Sequence, residues 1–450
     1  MTGNKVVLCI LDGWGIGPAG PGNAITLADP PTYKYLTTNF PHSQLEASGI
    51  AVGLPAEQDG NTETGHLNIG AGRIVFQDLA RINLSIADGS FFVNPALLEA
   101  INHAKQNNSS LHLLGMVTSS GVHAYNDHLY ALIIMAAHHH IEKLFLHLIT
   151  DGRDSPPFDA INQIKDVEEH LHRYGIGKIA SLMGRYYAMD RDQRLDRTKL
   201  AFDCLTTTAS ANQIDAGSAI QASYDKGDRD EFIKPITIGE NQEQSRIKPG
   251  DAVIFYNFRI DRPRQLTKML LDANIINMKL VTMTKYHDNF KVPVVFPDIQ
   301  IKNPLGEIIA VNNLKQLRAA ESEKERFVTY YFNGQREEPF PGEERLIVPS
   351  PKVATYDLAP AMSTKELIDG FSQKYIANDF SLGVLNIACP DMVAHTGDIV
   401  KTKEAILAAD GALASLIKVA QQTKSYLLIT GDHGNAEELL NRDTNQMDTE

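Results

Sequence analysis

Three short apolar runs, far apart in the chain, each lead into an acidic residue. The runs are residues 6–11, 382–388 and 426–430, and the acidic residues that follow them are Asp12, Asp391 and Asp432. Continuous apolar runs of this length are typical of strands buried in a parallel sheet. Ligands of open α/β sheets gather beyond the carboxyl ends of the strands, so the polar residues at these three ends are predicted to share one site.

The middle of the chain repeats this alternation of strands and helices. Residues 111–117, 144–150 and 253–256 read as strands, and residues 127–139 have a helical pattern. We therefore predict an α/β fold with two domains. Residues 1–77 and 302–450 form one domain with a parallel-type sheet, built from both chain ends, and residues 78–301 form a second, inserted α/β domain.

Composition excludes several classes of protein. The 450 residues are 43% hydrophobic and 22% charged, as in an ordinary folded chain, and the net charge of −13 argues against a nucleic-acid or anionic-membrane partner. The three cysteines form no C-x-x-C pair, which argues against a disulfide framework or a thiolate zinc site. No stretch approaches the roughly 20 apolar residues of a spanning helix. We predict a cytoplasmic protein.

The acidic residues at the strand ends are accompanied by histidines. Asp391 and His395 are spaced i, i+4, and Asp432 and His433 are adjacent. Together with Asp12 they form a mixed carboxylate and imidazole set that suits Mn²⁺ or Zn²⁺, and five such groups imply two ions. Taken singly, each residue has another interpretation, because an Asp after a strand is often a helix cap and a lone His is often structural.

A polar, glycine-flanked turn lies at residues 59–73 and contains Thr62. A hydroxyl at the start of a helix, surrounded by free backbone N–H groups, is suited to holding a phosphoryl group. An ordinary helix N-cap, for which Thr is a favoured residue, explains the same stretch equally well.

Arginine is concentrated in three loops that follow predicted strands in the inserted region. These loops cover residues 151–154, 184–192 and 257–264. Because arginine binds phosphate and carboxylate bidentately, three such loops at one sheet edge predict a pocket for a small, multiply anionic molecule. Surface salt bridging is the alternative for any single arginine.

In these motifs the chain resembles the cofactor-independent phosphoglycerate mutases of the alkaline phosphatase superfamily. The resemblance covers nearly the whole chain. It rests on residues 11–15, 60–73, 120–123, the three arginine loops, 323–324, 350–357, 390–397 and 431–436.

The resemblance implies an isomerase of glycolysis and gluconeogenesis that interconverts 3-phosphoglycerate and 2-phosphoglycerate through a phosphoenzyme. It implies that the domain formed by residues 1–77 and 302–450 holds two metal ions and the nucleophile Thr62. The ions are expected to be Mn²⁺, with Zn²⁺ or Co²⁺ as alternatives. It further implies that one ion is held by the nucleophile with Asp12, Asp432 and His433, and the other by Asp391 and His395. The implied substrate-binding residues are His123, Arg153, Asp154, Arg185, Arg191, Arg259, Arg262 and Lys324. Of these, His123 and Lys324 are expected near the transferring phosphoryl group. Asp154 is expected to move a proton between the glycerate hydroxyls.

Two departures from the family pattern affect these expectations. The family usually has Ser at the nucleophile, where this chain has Thr62, which offers the same hydroxyl with a methyl that restricts χ1. The family pattern also contains a further His after His433, and this sequence contains none. We therefore expect the second ion to bind weakly or to need a substitute ligand, as in a truncated chain.

Two other functions stay open at this stage. A phosphomonoesterase or another phosphomutase of the same superfamily shares the metal site, and an inactive homologue retains only ligand binding. The resemblance makes a monomer the expected oligomeric state.

Overall fold

The protein divides into two compact units, seen in a computed structural model that describes residues 5–207, 212–213, 215–239, 242–441, 444 and 446–448. The terminal unit comprises Met1–Gln77 and Gln300–Glu450, and the inserted unit comprises Asp78–Ile299. Each unit has its own β-sheet and its own apolar core.

The described residues form thirteen strands. They are β1 (Lys5–Leu11), β2 (Leu111–Val117), β3 (Leu144–Thr150), β4 (Lys178–Gly184), β5 (Asn212–Gln213), β6 (Ile236–Ile238), β7 (Ala252–Phe255), β8 (Lys279–Thr284), β9 (Val294–Phe296), β10 (Gln316–Glu321), β11 (Glu343–Val348), β12 (Leu382–Ile387) and β13 (Ser425–Gly431). The six strands predicted from apolar runs are confirmed to within one residue at each end.

Helices connect most of these strands. In the described residues they are α1 (Ala24–Ala28), α2 (Pro31–Asn39), α3 (Thr62–Ala71), α4 (Asp78–Ala87), α5 (Pro95–Gln106), α6 (Asn126–His138), α7 (Ala160–Tyr174), α8 (Arg185–Ala188), α9 (Leu195–Thr206), α10 (Ala216–Tyr224), α11 (Gln242–Ser245), α12 (Arg264–Asp272), α13 (Leu305–Val311), α14 (Thr364–Ala377), α15 (Cys389–Ala394) and α16 (Ile399–Thr423). Short 3₁₀ helices lie at Gly49–Val52, Ser90–Val93, Asp230–Phe232, Ser322–Lys324 and Tyr356–Leu358, and a π-helical turn lies at Phe327–Tyr331. Across the described residues, no helix combines the length and the apolar character needed to cross a bilayer.

The terminal unit contains a five-stranded sheet in the order β11-β10-β12-β1-β13, and every pairing in it is parallel. Leu11 at the end of β1 lies opposite Ile387 on one side and Gly431 on the other. The register therefore brings the carboxyl ends of β12, β1 and β13 level with one another. The predicted α/β class with a parallel-type sheet is confirmed.

The core of the terminal unit forms where helices pack on this sheet. Phe371 and Tyr375 of α14 and Leu413 of α16 are fully buried in one cluster with Val7 and Cys9 of β1. Burying an aromatic or leucine side chain of this kind contributes about 1.5–3 kcal/mol. Apolar packing therefore fixes the sheet whose end carries the acidic residues.

The inserted unit contains an eight-stranded sheet in the order β5-β6-β4-β3-β2-β7-β8-β9. Only the β4–β6 pairing is antiparallel among the described strands. Strands β2, β3 and β7 are almost wholly buried, as expected of central strands covered on both faces. The loops with the predicted arginines follow β3, β4 and β7 at the carboxyl end of this sheet.

Candidate functional site

The three acidic residues predicted to meet lie together at the carboxyl end of the terminal sheet. Asp12 follows β1, Asp391 lies in the first turn of α15 after β12, and Asp432 follows β13. All three side chains are buried. The local fold is fixed in part by Asp432, whose Oδ1 accepts hydrogen bonds from the backbone N–H of Gly13 at 3.2 Å and of His433 at 3.0 Å.

Helix α3 places the Thr62 hydroxyl in this cluster. The side chain of Asn61 caps the helix by accepting a hydrogen bond from the Thr64 N–H at 2.9 Å. Thr62 is therefore the first helical residue and not the cap, so its hydroxyl is available for other contacts. Its Oγ1 lies 2.9 Å from His433 Nε2 and 3.2 Å from Asp12 Oδ1.

Lys324 enters the same cluster from the 3₁₀ helix after β10, and its side chain is only 4% exposed. Its ammonium donates to Asp391 Oδ2 at 2.7 Å, and to Asp12 Oδ1 and Thr62 Oγ1 at 2.9 Å each. Burial by itself lowers the pKa of this amine, but the carboxylates of Asp12 and Asp391 outweigh burial and raise it above its usual value. Lys324 is therefore a fixed positive charge beside the Thr62 hydroxyl.

Asp12, Asp432 and His433 form a compact group of possible metal ligands. One ligand atom from each residue lies within 4.8 Å of the others, and all three residues are buried. Burial opposes a charge on the His433 ring, yet the carboxylates of Asp432 and Asp12 raise its pKa to about 10. A strongly negative pocket of this kind attracts cations.

Asp391 and His395 form a separate pair next to this group. Asp391 lies in α15, and His395 follows the last residue of this helix. His395 Nε2 lies 3.3 Å from Asp391 Oδ1, the oxygen to which the Asn435 amide donates at 2.8 Å. Lys324 donates to Asp391 and also to Asp12 and Thr62, so it connects this pair to the group of possible metal ligands.

In the inserted unit, Arg185 organises the predicted anion-binding residues. Its guanidinium is 2% exposed, and Nη1 donates to the carboxylates of both Asp151 and Asp154. Nη2 lies 3.0 Å from His123 Nε2. Burial and the Arg185 charge lower the pKa of His123 to about 4, so this ring is neutral near pH 7 and accepts from Arg185.

The other predicted arginines surround this group. Arg191 Nη1 lies 3.2 Å from the Asp261 carboxylate, and Arg259 Nε lies 3.5 Å from it. Burial and the positive charges of Arg185, Arg191 and Arg153 lower the pKa of Arg262. Arginine side chains suit phosphate and carboxylate groups, so this cluster is a candidate site for a small anion.

Comparison with known proteins identifies the family. The family model described as the BPG-independent PGAM N-terminus matches residues 82–288. The 2,3-bisphosphoglycerate-independent phosphoglycerate mutase of Moorella thermoacetica is 46% identical over 448 residues, which cover 97% of this chain and 87% of that protein. The enzyme of the same name from Coxiella burnetii strain RSA 331 is 47% identical, with 99% of this chain and 88% of that protein covered.

The chain belongs to the 2,3-bisphosphoglycerate-independent phosphoglycerate mutase family. It is thus a member of an isomerase family, as its motifs predicted. A crystal structure of Leishmania mexicana phosphoglycerate mutase at low cobalt concentration is similar in fold, with a TM-score of 0.55 and 25% sequence identity over 99% of this chain and 86% of that one.

The residues of this phosphoglycerate mutase family member fit a divalent cation. Asp432 Oδ2 is buried and makes no hydrogen bond, although His66 Nδ1 lies 3.1 Å and His433 Nε2 lies 3.6 Å away. A buried carboxylate oxygen without a hydrogen bond is costly unless a ligand satisfies it. Two carboxylates, an imidazole and a hydroxyl together form a donor set that Mn²⁺, Zn²⁺ and Co²⁺ accept.

Several residues in contact with the predicted site residues were not predicted individually. Asn386 is the one strongly polar residue in the apolar run 382–388, and a polar residue in a buried strand is a usable signal. Asp151 lies within a predicted loop motif, but only the fold shows that it holds Arg185. His66 lies in the motif 60–73 and contacts Asp432, and Asn435 lies in the motif 431–436 and donates to Asp391. Both partners lie far away in the sequence.

Gly65 on α3 is needed because this helix passes very close to the Asp432 loop. A Cβ at this position would lie 2.5 Å from the Asp432 carbonyl oxygen and 2.8 Å from its Cβ. We expect Gly65→Ala to push α3, which carries Thr62, away from the Asp432 loop and to weaken Mn²⁺ binding about 10- to 100-fold, the effect of misplacing ligands in metal sites. Titration of the purified protein with Mn²⁺ by calorimetry measures this.

Gly411→Ala on α16 is the control, because a Cβ there meets no atom within 4 Å. It should leave Mn²⁺ affinity unchanged and stabilise the helix by roughly 0.5–1 kcal/mol. Equal Mn²⁺ affinity in the folded Gly65→Ala protein and the parent protein would contradict the assigned role of this close approach.

Proposed function

We propose that this chain interconverts 3-phosphoglycerate and 2-phosphoglycerate through a phosphothreonine at Thr62, with two divalent metal ions, most simply Mn²⁺. The observation that carries the proposal is the position of the Thr62 hydroxyl, which lies within 3.2 Å of the side chains of Lys324, His433 and Asp12. A hydroxyl among a cation, an imidazole and a carboxylate is placed to act as a nucleophile on a phosphoryl group. The names of the relatives support the same substrates.

Two sets of ligands are assigned to the ions. Asp12, Thr62, Asp432 and His433 would hold one ion, and Asp391 and His395 would contribute to the other. When bound, divalent cations at such a site lower the pKa of a hydroxyl and offset the charge of a phosphoryl group. Lys324 adds a further positive charge next to Thr62, and its buried position keeps it aimed at the same oxygen.

The phosphoryl group moves in two displacements at Thr62. In the first, a bond forms between Thr62 Oγ1 and phosphorus, and the bond from phosphorus to the glycerate oxygen breaks. Thr62 loses its proton, and the departing glycerate oxygen gains one. In the second, the other glycerate hydroxyl loses its proton and its oxygen forms a bond to the same phosphorus, the bond from phosphorus to Thr62 Oγ1 breaks, and Thr62 Oγ1 regains a proton. The overall balance of atoms and charge is unchanged.

The inserted unit supplies the residues that bind glycerate and move its proton. From this unit, Arg153, Arg185, Arg191, Arg259 and Arg262 bind carboxylate and phosphate oxygens, and His123 contacts the phosphoryl group. Lys324 of the terminal unit also contacts the phosphoryl group. Asp154 carries the proton between the two glycerate oxygens. Arg185 donates to the Asp154 carboxylate, so the proton carrier is held next to an anion-binding guanidinium.

The test is an assay of the purified chain with Mn²⁺ and 3-phosphoglycerate, in the absence of 2,3-bisphosphoglycerate. We expect 2-phosphoglycerate to form without matching release of phosphate, and we expect chelation of the metal to stop the reaction. Phosphate release faster than 2-phosphoglycerate formation would favour the phosphomonoesterase. Binding of 3-phosphoglycerate by calorimetry with no product of either kind would favour an inactive homologue.

A further inference from the structure

A buried histidine and a buried asparagine connect the two carboxylates of the proposed metal site in the terminal unit. His66 lies on α3, one turn after Thr62, and Asn386 lies on β12. Both side chains are fully buried. Neither residue belongs to the proposed ligands, so the role of this pair has to be derived from its contacts.

Asn386 connects Asp12 to His66. Its Nδ2 lies 2.5 Å from Asp12 Oδ2 and 3.0 Å from His66 Nε2. The Asp12 carboxylate only accepts hydrogen bonds, so the NH₂ group and not the oxygen of the amide must face it. Both hydrogens of this NH₂ group are then used, one toward Asp12 and one toward the imidazole.

This arrangement fixes the tautomer of His66. Since Nε2 accepts from Asn386, the ring proton of the neutral imidazole lies on Nδ1. Nδ1 lies 3.0 Å from the Thr62 carbonyl oxygen, to which it donates, and 3.1 Å from Asp432 Oδ2. His66 thus anchors the helical turn that carries Thr62 and places a polar N–H beside Asp432, whose Oδ2 keeps its lone pairs free.

We propose that His66 and Asn386 are positioning residues that set the divalent-cation affinity of this site by orienting Asp12, Thr62 and Asp432. The proposal rests on the metal site of the proposed function. Hydrogen bonds behind metal ligands typically change metal affinity 10- to 100-fold when they are removed. Because the pair forms one connected chain of hydrogen bonds from Asp12 Oδ2 to the Thr62 carbonyl oxygen, the loss of either member should break this chain.

The experiment compares Mn²⁺ dissociation constants, measured by the electron paramagnetic resonance of free Mn²⁺. The proteins are the unchanged chain and its His66→Ala, Asn386→Ala and double variants. We expect each single variant to bind Mn²⁺ 10- to 100-fold more weakly and the double variant to lose little more than either single variant, because the pair acts as a unit. His66→Asn should recover part of the affinity, since its amide can donate to the Thr62 carbonyl.

The matched control is His128→Ala in the inserted unit. His128 is also a fully buried histidine paired with an asparagine, because its Nε2 lies 2.9 Å from Asn83 Oδ1. It contacts none of the proposed ligands, so this variant should lose stability and keep its Mn²⁺ affinity. Circular dichroism establishes that each protein is folded, and His66→Asn serves as the test variant if His66→Ala does not fold.

The possible outcomes distinguish the positioning role of His66 and Asn386 from the proposed function. Unchanged Mn²⁺ affinity in folded His66→Asn and Asn386→Ala overturns the positioning role and leaves the proposed function intact. An equal loss of affinity in His128→Ala also overturns it, because the effect would then follow from lower stability alone. Failure of the unchanged chain to bind Mn²⁺ overturns the metal site and the proposed function with it.

Discussion

Thr62→Ala is expected to abolish phosphoenzyme formation and to lower the rate of 2-phosphoglycerate formation at least about a thousandfold. The substitution removes the oxygen that lies 2.9 Å from Lys324 Nζ and 2.9 Å from His433 Nε2, and no other hydroxyl contacts both atoms among the described residues. Incubation with ³²P-labelled 3-phosphoglycerate, followed by acid quenching and separation of the protein, measures the covalent label.

Two variants on the same helix test whether the hydroxyl itself is responsible. Thr62→Ser keeps the oxygen and loses the methyl group that restricts χ1, so we expect it to label and to stay within about tenfold of the parent rate. Thr64→Ala removes a neighbouring hydroxyl that accepts a hydrogen bond from Gln77 at 3.1 Å. It should label normally. Stoichiometric label in Thr62→Ala would remove Thr62 from the nucleophilic role.

The inserted unit is expected to lose several kcal/mol of stability when the pH falls from 7.5 to 5, because it holds three histidines in the neutral form. Burial and the Arg185 charge lower the pKa of His123 to about 4, and burial lowers the pKa of His128 to about 3. Burial and the neighbouring His112 lower the pKa of His147 well below its usual value.

The sign of this effect follows from proton binding. Below pH 6.5 the unfolded histidines take up protons and the folded ones do not, so stability is present above pH 6.5 and is lost as the pH falls. Each histidine that stays neutral in the folded state lowers the free energy of unfolding at pH 5 by about 2 kcal/mol, compared with a pH well above 6.5. Three of them approach the total stability of a typical domain, about 5–15 kcal/mol.

The terminal unit contains a buried group with the opposite dependence. Burial raises the pKa of Glu321 to about 7, so the stability linked to this carboxyl is present below about pH 4.5 and is lost as the pH rises through 7. Acidification to pH 5 therefore protonates Glu321 and favours the terminal unit. The inserted unit should unfold first in acid.

Hydrogen exchange measured by mass spectrometry at pH 7.5 and pH 5, corrected for intrinsic exchange rates, separates the two units. Peptides from residues 78–299 should lose protection at pH 5 before peptides from the terminal unit. His128→Gln should reduce the pH dependence by up to about 2 kcal/mol, and replacement of the exposed His138 by Gln should not. Earlier loss of protection in the terminal unit would show that the buried histidines do not control acid stability.

The sequence was sufficient to predict the strands that carry the site. Residues 6–11 and 382–388 are apolar because both faces of a parallel strand are buried, and this pattern is local enough to read directly. The family was also predictable, since its motifs combine glycines, acids and histidines in a fixed order along the chain, and the relatives confirm it.

Contacts between distant residues were not predictable in the same way. Thr62 was open to two interpretations until Asn61 proved to be the helix cap and left the hydroxyl free to face His433. Lys324 was placed near the phosphoryl group by resemblance alone, and its contacts with Asp12 and Asp391 depend on β10 lying next to β12. Strand order is not encoded in any local pattern.

The sequence by itself determined which polar residues lie at the carboxyl ends of strands, because burial of a strand and the polarity of the residue after it are local properties. Only the tertiary structure decided which of these residues touch. His66 and Asn386 are 320 positions apart, and their hydrogen bond exists because α3 packs over the carboxyl end of β12. The geometry of the site is therefore a property of strand order, register and helix packing, which join side chains that the sequence keeps far apart.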